Sequence, residues 1–381
     1  MLPLQGIKIV DLTTVIFGPL ASQILADYGA AVVKVETPSG DSTRFTGPSA
    51  EAGMSSLFLA SNRNKSSVVI NLKSKQGANS LHSLLAEADV FMHNMRPAKL
   101  AALGFSSNEL LQRFPKLIYA DLLGFGSGGA YSGLPAYDDV IQGMTGIPDM
   151  MERKTGQTDY FPTIMVDKLS AHVAAHAILA ALIKSMRSGQ GGTVEVPMFE
   201  VAAAFNLVEN LFGGHFEPAR AGIGYPRTLS KLRRPWKTSD GYVCMLPYTD
   251  EHWRRFFKHC ERADLAEDER FSSQKARTEN IEQLLSAAAE LVSCRSTDEW
   301  VKTCSDLEIP AAAISRLEDL LTNKHLQDVG FFQTIDDPEM GTIRFPGVPV
   351  LFDGRRPPVR MPPRLGEDNA NLLPTVSAKG A

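Results

Sequence analysis

Short apolar runs alternate with helix-like segments along the first third of the chain. Residues 7–12 and 31–36 have the apolar, β-branched composition of buried strands. A helix is predicted between them over 19–28, because a proline opens it and Gly29 follows its end. Further strands are predicted at 68–72, 90–93 and 117–121, with a helix at 74–86. Buried strands separated by helices predict a parallel sheet covered on both faces, the doubly wound α/β class.

The pattern changes in the middle of the chain. A strand-like apolar stretch is predicted over 161–166, followed by a long helix rich in Ala and Leu over 168–187. Residues 221–241 are rich in Gly, Pro, Arg and Lys, a composition typical of a linker. The charged and aromatic residues of 242–330 then predict a smaller, mostly helical second domain.

The composition is that of an ordinary globular enzyme. Among 381 residues, 44% are hydrophobic and 22% are charged, which excludes a disordered or fibrous chain. Lys and Arg total 39 while Asp and Glu total 43, so the formal net charge is -4. This balance excludes a globally basic nucleic-acid-binding protein, and we expect no nucleic acid among the partners.

The cysteines and the apolar runs bear on the cellular compartment. The four cysteines form no CxxC pair, so we expect neither a disulfide framework nor a cysteine-ligated zinc site. Residues 1–6 lack the basic segment of a secretion signal. The longest apolar run, 169–183, is interrupted by His172 and His176 and is shorter than the ~20 residues that span a bilayer. The sequence therefore predicts a soluble, cytoplasmic protein with no membrane partner.

The opening strand–helix–strand unit resembles a dinucleotide site, with Glu36 at the place of a ribose-binding acid. The glycine fingerprint of such sites is missing, since Gly18 is the only glycine in the turn 13–18. Phe17 would also block the close approach of a pyrophosphate to the backbone. The glycine-rich segment 124–129 leads into a polar loop rather than into a helix. We therefore do not expect NAD as a cofactor.

His172 and His176 are four residues apart and share one face of the predicted long helix. This spacing is typical of half a metal site, but no third ligand follows at helical spacing. The residues around them are mainly Ala and Leu. We therefore expect the two histidines to be buried and hydrogen-bonded, and we expect no metal.

The densest basic segment, 231–237, contains four cations and Trp236. A basic patch with an aromatic residue is one feature of nucleic-acid-binding surfaces. In an acidic protein, however, one short patch indicates a solvated face or an anion clamp, and we favour these two interpretations.

Asp167 lies where the strand-like stretch 161–166 meets the long predicted helix. An acidic residue at this place is commonly a helix N-cap. A carboxylate at a helix N-terminus is also stabilised as the anion, and a desolvated anion can act as a nucleophile. The position of Asp167 leaves both interpretations open.

Several short motifs follow one another along the chain in a fixed order. They include Asn94-Met95-Arg96-Pro97 and Pro135-Ala136-Tyr137-Asp138. The strongest lie within 4–19, 30–36, 62–73, 88–97, 124–138 and 167–200, with weaker ones at 240–243, 268–271, 309–311 and 345–349. Together they resemble the class III CoA-transferases, the CaiB/BaiF superfamily that includes formyl-CoA and carnitine CoA-transferases, over most of the chain.

The resemblance implies an activity and an architecture. Such enzymes move CoA from an acyl-CoA donor to a free carboxylic acid, with CoA thioesters as substrates and no permanently bound cofactor. The implied fold is a large Rossmann-like α/β domain with a parallel sheet, together with a smaller α+β domain. We therefore expect domains at 1–220 and 221–330, a segment 331–381 that returns to the large domain, and an interlocked homodimer.

The resemblance also implies a set of site residues. Asp167 is the implied catalytic residue, and no metal ligand is implied. The implied CoA-binding residues are Val15, Ile16, Phe17, Ile70, Asn71, Leu72, Lys73, Asn94, Met95, Arg96, Tyr137 and Asp138.

Three departures from the family pattern concern the substrate. Ile16 and Phe17 occupy the positions of a glutamine and an alanine in formyl-CoA:oxalate transferases, so we expect a larger or less polar acid than oxalate or formate. Thr37 and Ala102 replace arginines that some members use near the adenine. The glycine loop that covers the site in the family is represented weakly, by residues 221–224.

Two other functions are compatible with the same resemblance. α-Methylacyl-CoA racemases share the fold, but their reaction needs an acid/base pair, and they carry a histidine where this chain has Tyr137. A tyrosine, with an ordinary pKa near 10, is a poor base at neutral pH, which favours the transferase. A non-catalytic acyl-CoA-binding protein is the third hypothesis.

Overall fold

The centre of the fold is one six-stranded sheet. The computed structural model describes residues 1–373. The strands of the sheet are β1 Lys8–Leu12, β2 Ala31–Glu36, β3 Lys65–Val69, β4 Val90–His93, β5 Ile118–Leu123 and β6 Gly192–Pro197. Their order is β3-β2-β1-β4-β5-β6, and every neighbouring pair is parallel. This arrangement confirms the predicted Rossmann-like α/β fold.

The strands are apolar because helices cover the sheet. Val10 lies beside Val33 of β2 on one side and beside Phe91 of β4 on the other. β-Branched and aromatic side chains fit such a pleated, buried surface well. Val10 and Phe91 belong to a buried cluster that also includes Leu81 and Leu110 from the covering helices.

The helices follow the strands along the chain and continue through its second half. In residues 1–373 they are α1 Phe17–Asp27, α2 Ser56–Asn62, α3 Lys75–Leu85, α4 Pro97–Ala101, α5 Ser107–Arg113, α6 Asp138–Met144, α7 Ile147–Thr155, α8 Met165–Ser188, α9 Met198–Asn210, α10 Pro226–Leu229, α11 Asp250–His259, α12 Ala263–Ala266, α13 Gln274–Glu279, α14 Ile281–Val292, α15 Thr297–Asp306, α16 Lys324–Asp328 and α17 Asn369–Leu372.

Two small antiparallel sheets complete the strands. One contains β7 Trp236–Lys237, β8 Tyr242–Met245 and β9 Ala311–Ala313, and the other contains β10 Phe332–Asp337 and β11 Gly341–Pro346. The described residues divide into two compact units, of which the first comprises 1–145, 161–205 and 324–373, and the second comprises 146–160 and 206–323. The domain boundaries expected at 220 and 330 stay predictions.

The second unit has its own aromatic core. Trp253 lies in contact with Phe256 and Phe257 on α11, and Phe256 in turn contacts Trp300 of α15. The Trp300 indole N–H donates a hydrogen bond of 2.8 Å to the carbonyl of Val292, so its one polar atom is satisfied. This core is independent of the six-stranded sheet.

One predicted strand is present with different bounds and another is wrong, and both errors have a physical cause. The strand expected at 68–72 is Lys65–Val69. It begins with polar residues whose partners are buried; Ser67, for example, donates to Glu36 at 2.7 Å. The stretch 161–166 contains no strand, because α8 begins at Met165 and the preceding backbone is held by a side chain instead of a ladder.

The longest helix, α8, is also longer than the predicted 168–187. By length and composition alone it is long and apolar enough to span a bilayer, unlike the shorter run considered in the sequence. One of its faces, which includes Ala171, Ala174 and Ile178, is buried, and the helix packs against α1 in the first unit.

Candidate active site

A groove opens where the chain reverses direction across the sheet. β1 and β4 are neighbours at the centre of the sheet, with β2 beyond one and β5 beyond the other. Ligands of doubly wound sheets bind at such a switch point, beyond the carboxyl ends of the strands. The cavity there has a volume of about 490 Å³. Its lining consists of Thr14, Val15, residues 94–98, residues 122–125, Ser127 and residues 132–137.

Asn94 joins the ends of β1 and β4. Its Oδ1 accepts a hydrogen bond of 3.1 Å from the N–H of Thr14, and its Nδ2 donates one of 2.8 Å to the Thr14 carbonyl. One side-chain amide therefore satisfies both the backbone N–H and the backbone carbonyl of Thr14. These two hydrogen bonds fix the two segments that form one end of the groove.

The next residue, Val15, has a left-handed backbone conformation, with φ 71°. This conformation is unusual for a β-branched residue and costs on the order of 1–3 kcal/mol. The N–H of Val15 lies 3.3 and 3.2 Å from the two carboxylate oxygens of Asp41. Asp41 is buried and also accepts a hydrogen bond from the N–H of Thr43 at 3.0 Å. The carboxylate thus holds the strained turn in place.

A buried charge cluster lies behind this turn. Lys34 donates to the Thr13 carbonyl and to Asp41, each at 2.9 Å, and Lys65 donates to Asp11 at 3.2 Å. Burial would raise the pKa of Asp11, but the attraction of Lys65 and Lys34 holds this pKa below its usual value. Burial lowers the pKa of Lys65 to about 8. The paired charges make the backbone behind the groove a fixed scaffold.

The glycine-rich loop after β5 forms the opposite wall. Gly124 is required there, because a Cβ atom at this position would lie 2.3 Å from the Cβ of Ala136. The N–H of Gly126 donates to Glu200 at 3.0 Å, and the N–H of Ser127 donates to Glu195 at 2.7 Å. The loop is therefore anchored by two carboxylates, and the amides of Gly126 and Ser127 are already engaged.

Asp138 connects this wall to Asp167. Tyr137 lines the groove, and Asp138 follows it as the first, buried residue of α6. The Asp138 Oδ1 atom accepts a hydrogen bond of 2.8 Å from the backbone N–H of Asp167. Asp167 itself lies in the first turn of α8. Two acidic residues that are 29 positions apart in the sequence are thereby brought together.

The structure excludes the N-cap interpretation of Asp167. The N-cap residue of α8 is Ile164, which has no side-chain capping bond, and Asp167 lies three residues further on. The carboxylate of Asp138 satisfies one of the free amide groups of this helix end from another element. The Asp167 side chain is therefore not used to cap its own helix.

The environment of Asp167 changes its acidity. Burial, followed by the negative charge of Asp138, raises the pKa of Asp167 to about 7. The positive end of the α8 dipole favours the anion but does not outweigh these two effects. A carboxyl group of this kind is partly ionised at neutral pH, and its anion is a stronger base and nucleophile than that of an ordinary aspartate.

Gln142 holds the segment that leads into α8. Its Nε2 donates to Asp138 at 2.6 Å and to the Thr163 carbonyl at 3.1 Å. Its Oε1 accepts a hydrogen bond of 3.0 Å from the N–H of Phe161. These bonds replace the strand ladder that the apolar sequence predicted here, and they fix the approach to Asp167.

The residues predicted to bind CoA fall into two groups. Five of them line the groove: Val15, Asn94, Met95, Arg96 and Tyr137. Asp138 follows directly and is buried.

The remaining predicted residues lie outside the groove lining. Ile16 and Phe17 are buried at the start of α1, with 6% and 5% of their surface exposed. Ile70 is buried just after β3, and 71–73 form the turn into α3. β3 is the edge strand, two strands away from β1, so 70–73 lie at the same carboxyl edge of the sheet as the groove.

Sequence reasoning missed the polar residues behind the groove. His93, the last residue of β4, is fully buried, and its Nε2 lies 3.0 Å from Asp121 Oδ1 and 2.9 Å from the Tyr119 hydroxyl. Burial, and then the charge of Asp121, raise the pKa of Tyr119. Asp41 was also missed, although Asp41-Ser42-Thr43 is a typical sequence for a turn in which Asp accepts nearby amides.

The prediction that His172 and His176 are buried is wrong. Both are exposed on the face of α8 opposite its buried residues. In the described residues 1–373, no group of three His, Cys, Asp or Glu side chains is arranged to hold a metal ion.

The bonds of Asn94 to Thr14 lead to a prediction on stability. We expect Asn94→Ala to lower the free energy of unfolding by about 1–2 kcal/mol, because the backbone N–H and carbonyl of Thr14 both lose their hydrogen-bond partner. Urea denaturation of the two purified proteins measures this difference. Asn108→Ala, at an exposed position of α5, is the control and is expected to change stability by less than about 0.5 kcal/mol. An equal loss in both variants would contradict the structural role of Asn94.

Comparison with known proteins gives a consistent result. The model of CoA-transferase family III matches residues 4–369. A succinate–glutarate CoA-transferase of Agrobacterium fabrum is 32% identical over 392 residues, covering 97% of this chain and 95% of the relative. A probable fatty acyl-CoA transferase of Mycobacterium tuberculosis, Rv3272, is 33% identical over 315 residues, covering 79% of each chain.

Solved structures agree with these relatives. The crystal structure of an Asp-to-Ala variant of Rv3272 has a TM-score of 0.86 at 29% identity and covers 98% of this chain and 99% of its own. A CaiB/BaiF family protein from Brucella suis has a TM-score of 0.78 at 27% identity, covering 97% and 98%. The chain therefore belongs to CoA-transferase family III, as its motifs predict, and is a CoA-transferase.

Proposed function

We propose that this enzyme transfers CoA from an acyl-CoA donor to a free carboxylic acid through covalent intermediates on Asp167. One observation carries the proposal: the Asp167 backbone is fixed by the buried carboxylate of Asp138, which directly follows the groove residue Tyr137. The Asp167 carboxyl group is half-buried, and we propose that it faces the cavity at the switch point of the sheet, whose lining includes Tyr137. Racemisation, the alternative reaction, needs an acid/base pair and does not need a nucleophile.

The proposed reaction exchanges one acyl bond for another at each step. The Asp167 carboxylate attacks the donor thioester carbonyl, the C–S bond breaks, and CoA thiolate leaves behind an aspartyl–acyl anhydride. The thiolate attacks the aspartyl carbonyl, which releases the donor acid and forms an aspartyl-CoA thioester. The acceptor carboxylate then displaces CoA to form a second anhydride. CoA thiolate finally attacks the acceptor's acyl carbon, and Asp167 is restored as the carboxylate.

The raised pKa of Asp167 suits this cycle. Asp167 must be an anion to attack, and a more basic carboxylate is a better nucleophile. Its partial burial limits the access of water, which would hydrolyse an anhydride. Asp167 must also be a good leaving group when CoA attacks the anhydride. A carboxylate is a good leaving group, whereas an alkoxide is not.

The groove suits a long anionic substrate. Arg96 is an exposed cation of its lining, and Lys73 is an exposed cation at the same carboxyl edge of the sheet, beyond β3. CoA carries several phosphate charges, which need cations or backbone donors. We propose that the pantetheine arm follows the groove past Val15 and that Arg96 and Lys73 meet phosphates.

The proposal is tested by combining a panel of acyl-CoA donors with mono- and dicarboxylic acids and recording the products by mass. We expect the acceptor's CoA ester to form only when both a donor and an acceptor are present. Deuterium uptake beside the thioester without an acceptor would identify a racemase instead. Binding without any transfer would leave an acyl-CoA-binding protein. A homodimer and a cytoplasmic location stay predictions.

The acidity of Asp167 leads to a prediction on pH dependence. We expect kcat/KM for the acyl-CoA donor to rise with pH through a midpoint near 7, because the neutral carboxyl cannot attack. Asp138→Asn removes the second cause of the raised pKa, so its midpoint is expected at lower pH. Asp139→Asn, at the neighbouring exposed position, is the control and is expected to leave the midpoint unchanged. A flat profile between pH 5 and 9 would contradict the assignment.

A further inference from the structure

The second unit contains a cavity that the proposed function does not use. Its volume is about 610 Å³, within the range of small-molecule sites. The lining consists of Arg227, residues 233–236, residues 244–247, Trp253, Ile281, Leu285 and residues 310–312. The cavity is built entirely from residues of the second unit.

The charges of this cavity have one sign. Its lining includes Arg227, Arg233 and Arg234 and contains no acidic residue. Arg233 and Arg234 belong to the basic segment 231–237, which the sequence predicts to be a solvated face or an anion clamp. The structure places these two arginines beside apolar surface, which favours the clamp.

Two buried donors of the lining have no partner. Arg227 is 8% exposed, and its Nη1 has no hydrogen-bond acceptor in residues 1–373. Trp253 is 3% exposed, and its indole Nε1 likewise has none in this part of the chain. The Arg227 guanidinium lies 5.6 Å from the centre of the Tyr248 ring. Leaving a buried cation and a buried N–H unpaired is costly, so a hydrogen-bond acceptor placed against these two lining residues would be stabilising.

The segment 227–234, which carries the three arginines, is held in place without a ligand. Lys154 donates to the carbonyl of Thr228 at 3.2 Å and to that of Arg233 at 2.7 Å, which ties together the two ends of the segment. Trp236 then enters β7, which pairs with β8. The backbone that carries Arg227, Arg233 and Arg234 is therefore fixed before binding, which reduces the entropy cost of holding a ligand.

We propose that this cavity binds a small organic acid, with its carboxylate on Arg227 and its apolar body against Trp236, Met245 and Leu285. The planar guanidinium group suits a two-oxygen carboxylate, with which it forms paired hydrogen bonds. Most other lining positions are apolar, such as Leu246, and this excludes a highly polar ligand. The site is separate from the chemistry assigned to Asp167 and does not depend on it.

The chain contains a local reporter for this site. Cys244 is an exposed free thiol in the cavity lining, whereas Cys294 is an exposed free thiol outside it. We expect decanoate, used as the probe, to slow the alkylation of Cys244 by iodoacetamide at least about fivefold and to leave the rate at Cys294 unchanged. Decanol has the same apolar body without the charge and is expected to protect Cys244 much less. Peptide mass spectrometry measures both rates in one sample.

Matched variants then test the role of the cation. We expect Arg227→Met to weaken decanoate binding at least about tenfold in calorimetry, and Arg227→Lys to weaken it less. Arg316→Met removes an exposed arginine of the same unit that is outside the lining, so its affinity is expected to stay within twofold. Trp253→Phe keeps an aromatic side chain but removes the indole N–H together with one of the two fused rings, and it provides a second variant if Arg227→Met does not fold.

Three results would overturn the proposal. The first is equal protection of Cys244 by decanol and decanoate, and the second is unchanged affinity in Arg227→Met. The third is protection of Cys244 without ligand that grows with protein concentration, which would show that a second copy covers the cavity. Decanoate protection of Cys244 is expected to persist in Asp167→Ala, so a failure of the proposed transferase mechanism would be distinguishable from a failure of this site.

Discussion

Replacing Asp167 with asparagine should lower the rate of CoA transfer by about 10³-fold or more. A carboxamide cannot form an anhydride with the donor's acyl group, so both covalent intermediates are lost while the groove remains intact. The variant should still bind acyl-CoA, because Asp167 does not belong to the groove lining. The measurement is kcat of the purified variant with the donor and acceptor identified by the substrate panel.

Two further proteins make this experiment decisive. Asp167→Ala excludes activity that arises from slow deamidation of the asparagine, and Asp139→Asn removes an exposed carboxylate of α6 and should retain full activity. Incubation of the unmodified enzyme with an acyl-CoA and no acceptor should add the mass of an acyl or CoA group to the peptide containing Asp167. Turnover in Asp167→Ala at even a tenth of the normal rate would remove Asp167 from its proposed role.

The same substitution should also stabilise the folded protein, and the gain should grow with pH. The pKa of Asp167 is about 7 in the folded state and near 3.9 in an unfolded chain. Between these values the unfolded state has lost its proton while the folded state retains it, so stability falls as pH rises through this window. Above pH 7 the full penalty is present, up to about 4 kcal/mol. Asparagine does not ionise and avoids the penalty.

Urea denaturation of the normal protein and Asp167→Asn at pH 4 and at pH 8 measures this effect. We expect a gain under about 1 kcal/mol at pH 4 and one of about 2–4 kcal/mol at pH 8. Asp139→Asn, at an exposed position, should show no such increase between the two pH values. An identical gain for Asp167→Asn at both values would mean that burial does not shift the ionisation of Asp167.

The regular part of the fold could be predicted from the sequence because its signal is local. The strands 31–36 and 90–93 are correct to the residue, since continuous β-branched and apolar runs occur where a strand is buried on both faces. Lys65 and Ser67 hid the start of β3, because their buried partners, Asp11 and Glu36, are distant in the sequence. A polar residue that pairs inside the protein looks like a loop residue in the sequence.

It was harder to predict which face of α8 is buried, for a related reason. Ala and Leu occur all around this helix, so the sequence does not distinguish its buried face from its exposed one. His172 and His176 were therefore assigned to the wrong face. The first turn of α8 was missed because Gln142, and not a neighbouring residue, satisfies the backbone at Phe161 and Thr163.

The candidate site was predictable where the family motif applied and unpredictable where long-range contacts decide. Val15, Asn94 and Tyr137 are separated by dozens of residues, yet all three line one groove because the ends of parallel strands meet at one edge of the sheet. The contact of Asp138 with Asp167 has no mark in the sequence, since it depends on how α6 packs against α8.

The hydrogen bond from the Asp167 amide to Asp138 limits where a tetrahedral oxyanion can be stabilised. That amide is already engaged at 2.8 Å. In the proposed mechanism, the negative oxygen formed at each acyl transfer therefore needs donors from other groups, because the peptide bond of Asp167 cannot supply one. Replacing Asp138 with alanine would free the amide and create a competing donor beside the proposed nucleophile.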